Sequence, residues 1–189
     1  AQKTVEHATQ SGDKVYLFAG GSCLAWAESY LGQHQRADEH RNQALAIARE
    51  MGGRMIISDW FDAADGERAI LAGQPEMALV RARAQVEQSR AAGLLLSHGV
   101  AARACGTAVA RMGGAPAEFD AHFQESLEVL GRGDNLLDMA QTEQWWGRVY
   151  LERGDREAAR KHLLLANEQY QSSGLHVAMA EVAQLLLSI

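Results

Sequence analysis

The stretch that decides the fold is GRVYLERGDREAARKHLLLA, residues 147–166, preceded by Trp146. Trp146, Gly147 and Tyr150 are one and three residues apart and share one helical face. Ala159, Leu163 and Ala166 are four and three apart and share another. Gly154-Asp155 stands between them as a turn. Two such faces broken by Gly-Asp predict two antiparallel helices joined by a tight turn. Gly147 and Ala159 carry so little side chain that the two helices can approach closely.

The same unit recurs upstream. Gly32, Gly73, Gly114 and Gly154 take the turn position at spacings of 41, 41 and 40 residues. Five residues beyond each stand Ala37, Ala78, Phe119 and Ala159. A second series, Gly12, Gly53, Gly93, Gly133 and Gly174, closes each unit at the same period. Two interleaved series with one period predict an all-α stack of antiparallel helix pairs, an α-solenoid of about ten helices. Residues 1–11 (AQKTVEHATQS) read as the second helix of a pair whose first is missing. Helices are then expected over 14–31, 35–51, 54–72, 75–92, 94–112, 116–130, 135–153, 156–173 and 175–188. Pro75 suits the first position of its helix. Nothing interrupts the period, so residues 1–189 are expected to form one domain. Its units are 1–12, 13–53, 54–93, 94–133 and 134–174, with a capping helix over 175–189.

Composition agrees: β-branched residues are sparse, there are two prolines, and Ala, Leu, Glu, Gln and Arg abound. A net charge of −6 offers no basic footprint for nucleic acid. Arg81, Arg83 and Arg90 cluster locally, but Glu76 and Glu87 flank them, which reads as a solvated face. Cys23 and Cys105 lack metal-ligand spacing; both fall in Ala-rich helical stretches and are expected to be small buried thiols in a reducing compartment. No apolar run approaches the ~20 residues of a membrane span. The first residues have no signal-peptide core and no initiating Met, so a cytoplasmic piece of a longer chain is expected.

Motifs for chemistry are few. Ser11-Gly12-Asp13-Lys14 matches S-x-x-K but falls on a turn without companion motifs. Asp59, Asp62 and Asp65 recur every third residue, beside Glu67, without a Ca²⁺-loop pattern; a solvated acidic face is expected. The seven histidines form no H-x-x-x-H or H-E-x-x-H, so no metal, cofactor or catalytic residue is expected. Gly20-Gly21 lies inside an expected helix, which points to close packing, a kink or an approaching partner backbone.

The pattern resembles the tetratricopeptide repeat. The fourth unit carries it in full through Trp146, Gly147, Tyr150, Gly154-Asp155, Ala159, Leu163 and Ala166. The first unit has Leu24, Ala25, Gly32, Ala37 and Ala44, but Glu28 at the aromatic position and Arg41 at the bulky one. The second has Gly66, Gly73, Ala78 and Ala82; the third has Gly114, Phe119, Phe123 and Ser126. The usual period is about 34 residues. The longer one here resembles the C-terminal regions of bacterial MalT-like regulators and of nucleotide cyclases fused to AAA or STAND-type ATPases. HEAT-type repeats, at about 40–47 residues, are the alternative. The Gly-Asp turn and Trp-Gly-x-x-Tyr argue against them.

The resemblance implies a right-handed superhelix whose first helices line a concave groove. The inward positions then map onto Ser22 and Trp26; Ala63, Glu67 and Ile70; Ala104, Ala108 and Arg111; and Gln144, Arg148 and Leu151, with Trp60 one turn before Ala63. The Lys/Asn set of carboxylate-clamp co-chaperones is not at these places. Ser22, Trp26, Trp60, Ala63, Glu67, Arg111, Gln144 and Arg148 form the candidate partner groove. Trp26 and Trp60 either grip a partner or fill gaps between repeats. Trp145 is either on the surface or packed on a neighbour. The expected function is a non-catalytic interaction or sensor module of a larger bacterial signalling or transcription-regulating ATPase. It would bind a peptide, protein or effector, or the ATPase module of its own chain, without contacting nucleic acid or membrane. A ligand receptor or enzyme pocket within the superhelix, and a scaffold assembling through its ends, are the alternatives.

Overall fold

The computed structural model describes residues 2–53, 55 and 57–189. Among these it contains ten α-helices and no strand. They are α1 (Gln2–Ser11), α2 (Lys14–Tyr30), α3 (His34–Glu50), α4 (Ser58–Leu71), α5 (Pro75–Ala92), α6 (Leu95–Arg111), α7 (Pro116–Arg132), α8 (Leu136–Glu152), α9 (Arg156–Ser172) and α10 (His176–Leu187). Most boundaries fall within a residue of the expected ones. The exceptions are α7, which runs two residues further, and α4. The sequence placed its start at 54, but the helix begins at Ser58 after Ile57, whose φ is 61°. Arg54 and Ile56 lie outside the described residues.

Several helices start and stop for a local reason. The Asp13 carboxylate accepts from the N–H of Val15 and Tyr16 at 3.0 and 3.2 Å, and Asp155 from that of Ala158 at 3.0 Å. Both satisfy donors that a helix N-terminus leaves unpaired. Pro75 and Pro116 open their helices where no N–H is needed. At the far end of α2, Gly32 donates to Ser29 O and Gln33 to Glu28 O; Gly154 and Asp155 repeat this on Leu151 and Tyr150. This double bond pattern needs a left-handed residue just past the helix, where glycine is unstrained.

That left-handed position recurs at Gly12, Gly32, Gly53, Gly73, Gly93, Gly113, Asp134, Gly154 and Gly174, at steps of 20 or 21 residues. The glycine series read from the sequence therefore shifts at two places. In the third pair the left-handed residue is Gly113, and Gly114 follows it, because the α6–α7 turn is one residue longer than its counterparts. After α7 it is Asp134, at φ 51°, and Gly133 is not left-handed.

Consecutive helices double back on each other. Gly21 faces His40 and Ala44 across α2–α3, Gly66 faces Ala78 and Ala82 across α4–α5, and Gly147 faces Ala159 and Leu163 across α8–α9. A Cβ on Gly147 would lie 2.7 Å from Leu163 Cγ and 3.2 Å from the Ala159 carbonyl oxygen. The glycine is therefore required by the approach of α9. Gly20 sits in an unbroken α2, and a Cβ there would meet Val5 at 2.8 Å, so its role is to admit α1. The first helices also touch one another in the order α2, α4, α6, α8, with α5 and α7 wedged against the next first helix. The main core joins these rows through small residues, Ala63, Ala82, Ala104, Ala108 and Ala159, filled out by Phe119, Phe123 and Trp146. Smaller clusters sit around Phe18 and Phe61 near α2, and around Leu163, Tyr170 and Val182 near α10.

Candidate functional site

Near the two ends of the row of first helices, α2 and α8 come together with α9 and α10 around a pocket of about 170 Å³. Helix α2 contributes Trp26 and Tyr30, one turn apart, with ring centroids 4.9 Å from each other. Helix α8 contributes Gln141, Gln144, Trp145 and Arg148, whose spacing of three, one and three puts them on one face. Tyr170 of α9 forms the floor with the buried ring of Trp145, and Glu181 of α10 pairs with Arg148 at the rim.

The polar groups of this pocket are fixed in a particular sense. The Tyr170 hydroxyl donates to Gln144 Oε1 at 2.8 Å, and Arg103 Nη2 donates to Gln141 Oε1 at 3.3 Å. Each amide oxygen thereby accepts one hydrogen bond from the protein. The Trp26 indole N–H and the Arg148 Nε–H are buried and have no protein partner among the described residues. A buried donor left unpaired costs about 1–3 kcal/mol. The residues that line the pocket thus combine four aromatic rings with two N–H groups that lack an acceptor.

Beneath the pocket lies the most buried charge pair described. Arg103 Nη2 and Nε reach Glu67 Oε1 at 2.6 and 2.7 Å, and both side chains are at most 2% exposed. Arg103 also donates to the Asp138 carbonyl oxygen at 2.9 Å and to Thr142 at 3.3 Å. Burial pushes the Glu67 carboxyl above its ordinary range, and Arg103 pulls it back. Burial together with the Glu67 charge raises the Tyr30 hydroxyl, so Tyr30 is a neutral group in the pocket.

Of the residues expected to line a groove, Trp26, Gln144 and Arg148 meet in this pocket. Trp60 is apart from it but leans on Trp26 with centroids 6.0 Å apart, so Trp26 both packs against a neighbour and faces the pocket. Ser22, Ala63 and Glu67 are buried between helices, as are Ile70, Ala104 and Ala108. Small side chains bring the first helices so close that these positions meet a neighbouring helix and not open space. Arg111 pairs with Glu152 at 2.7 Å and caps the Ile70 carbonyl oxygen at 3.1 Å, and Leu151 packs on the main core. The sequence did not point to Tyr30, Gln141, Tyr170, Ala178 or Glu181. Tyr30 and Gln141 could have been found one turn from Trp26 and Trp145. Tyr170 and Glu181 depend on where α9 and α10 end up.

Three further expectations are corrected. Asp59, Asp62 and Asp65 are not a solvated acidic face. Asp62 and Asp65 hold the buried Arg41 at 2.5 and 2.9 Å, Asp65 holds Arg68 at 2.6 Å, and Asp59 accepts from Ser97 at 2.8 Å. The i, i+3 spacing aims two carboxylates at one guanidinium from the preceding pair. Cys23 is exposed, because it falls on the exposed stripe of α2 with Tyr16 and Ala27; Cys105 is buried, which raises its thiol to about 12. Three histidines, read only for missing metal motifs, bind glutamates within their own helix pairs: His40–Glu28 at 2.6 Å, His98–Glu125 at 2.8 Å and His162–Glu143 at 2.7 Å.

Ser11 and Lys14 of the S-x-x-K match serve the turn: Ser11 bonds the Ala8 carbonyl oxygen, and Lys14 pairs with Glu50. Among the described residues no group of three or more His, Cys, Asp or Glu side chains is arranged to hold a metal. No described helix is long and apolar enough to cross a membrane. No protein-family model matches the chain, and no curated protein matches it.

Proposed function

We propose that this chain is a binding module of the tetratricopeptide type, a right-handed superhelix of helix pairs whose inner pocket receives a peptide, protein or effector. In this reading it is a cytoplasmic regulatory part of a larger bacterial signalling ATPase. The 40-residue period, the left-handed turn every 20 or 21 residues and the glycines at helix contacts support the repeat class. The curvature is supported by the meeting of α2 and α8, near opposite ends of the row, at one pocket. The observation that carries the functional reading is a pair of buried, unpartnered donors, Trp26 Nε1 and Arg148 Nε, on two residues that line one aromatic pocket.

Selection of an uncharged random-peptide library against the folded chain tests this. Binders are expected to lose at least tenfold in affinity when Trp26→Ala and Arg148→Ala are combined, with the helical circular-dichroism signal retained. Binders indifferent to both changes would defeat the proposal.

A further inference from the structure

Resting on the reading of the α2–α8–α9–α10 pocket as a binding site, we propose that its ligand is an uncharged planar ring carrying a carbonyl oxygen. Three observations lead there. The first is the direction of the hydrogen bonds. Gln141 and Gln144 each accept from a protein donor, Arg103 and Tyr170, while Trp26 Nε1–H and Arg148 Nε–H have no protein acceptor among the described residues. The site offers donors, so the ligand supplies acceptors. A polyhydroxyl compound, which must donate as often as it accepts, fits this poorly.

The second is charge. Arg148 is already paired with Glu181, and below it Arg103 is met by Glu67 and Asp138. Two guanidinium groups face three carboxylates, so the pocket has no spare positive charge to balance an anion brought out of water. A neutral carbonyl accepts a hydrogen bond without that cost. The third is shape. Trp26, Tyr30, Trp145 and Tyr170 supply ring faces and edges, which suit a flat group. The pocket's 170 Å³ is below the ~300 Å³ at which drug-sized sites begin, which limits the occupant to one ring with a short substituent. Such a group occurs as a free aromatic amide or lactam, or as an aromatic residue with its own carbonyl in a peptide.

Indole N–H resonances of the ¹⁵N-labelled chain test this directly. There are four tryptophans. The Trp26 signal is the one lost in Trp26→Phe, and the Trp146 signal is an internal control because its N–H is held by Asp120 at 2.7 Å. Benzamide, or blocked phenylalanine (N-acetyl-phenylalanine methylamide), is expected to move the Trp26 signal downfield saturably and leave the Trp146 signal in place. Tighter binding of benzamide identifies a free small molecule, and tighter binding of the blocked residue identifies a peptide segment. Arg148→Lys keeps the charge facing Glu181 but removes the guanidinium donor, and should weaken either probe about tenfold. Toluene, with the ring but no acceptor, should bind at least tenfold more weakly than benzamide. An unmoved Trp26 signal with both probes, or benzoate binding as tightly as benzamide, overturns the proposal. If selected peptides still depend on Trp26 and Arg148 when both probes fail, the binding module stands and only this ligand class falls.

Discussion

The first and fourth helix pairs place the same backbone positions under opposite chemistry. Where α8 carries Tyr150, α2 carries Glu28; where α9 carries Leu163, α3 carries Arg41; both second helices carry a histidine one residue earlier, His162 and His40. In the fourth pair these positions build an aromatic stack. Trp146 lies between Phe123, at 5.3 Å between centroids, and His162, at 3.9 Å, and Trp146 and Tyr150 both donate to Asp120. Leu163 lies over Gly147. In the first pair Glu28 takes His40 and Arg36, and Arg41 reaches past its own pair to Asp62 and Asp65 on α4. The position of Gly147 is held by Ala25, fully buried, because no leucine comes down on it. The frame of helix lengths, left-handed turns and small residues is common to both. The filling between pairs is free to be apolar or ionic, provided its buried charges find partners.

The comparison can be broken first at the two bulky positions. Leu163→Ala should cost about 2–5 kcal/mol, since it empties a fully buried site. Arg41→Ala should cost less, about 1–3 kcal/mol. Its side chain is 4% exposed, but Asp62 is 42% exposed and Asp65 keeps Arg68, so water and a second arginine take up part of the loss. Urea unfolding of the two variants measures both. An Arg41 variant less stable than the Leu163 variant would show that the ionic filling is the stronger.

Glycines sharpen the comparison. Gly147→Ala should destabilise by about 1–3 kcal/mol, because Leu163 and the Ala159 carbonyl oxygen occupy the space its Cβ needs. Gly21→Ala in the first pair should be neutral or stabilise by up to about 1 kcal/mol, as its Cβ meets only Ala44 and His40 O at 3.5 Å. Thermal melts that move the same way for both would refute the assignment of close approach to Gly147.

The smallest effect concerns the third pair, where Glu125 accepts from Arg90 and His98 at 2.6 and 2.8 Å. Burial alone would raise this carboxyl, but His98 and Arg90 together hold it below its ordinary value. Because the folded value is the lower one, the unfolded chain binds the proton more readily as pH falls. The contribution is complete above the ordinary carboxylate pKa, near 4.3, and is lost as pH drops through the folded value beneath it. Glu125→Gln should flatten that part of the stability–pH curve; an unchanged acid limb would remove Glu125 from the account.

The sequence made most of the frame legible, because turns and helix contacts depend on residue size and conformational freedom at fixed spacing. Glycine is the residue that turns left-handed without strain, so its period marked every helix end except two. At Asp134 a non-glycine took the left-handed position, and at Gly113 the turn was one residue longer. The ionic filling was visible only as misfits, Glu28 and Arg41 at positions meant for apolar side chains. Their partners stand 8 to 24 residues away in the chain and on other helices, beyond what spacing within one helix reports. Asp62 and Asp65 read as solvated for the same reason.

By itself, then, the sequence determined the helices, their pairing and the candidacy of Trp26, Gln144 and Arg148. The tertiary structure alone decided that these three share one pocket while Ser22, Ala63 and Glu67 lie between helices. Residues on α2 and α8 are more than a hundred positions apart in the chain. Whether they meet depends on how all the helices between them pack, and no single spacing in the sequence encodes that.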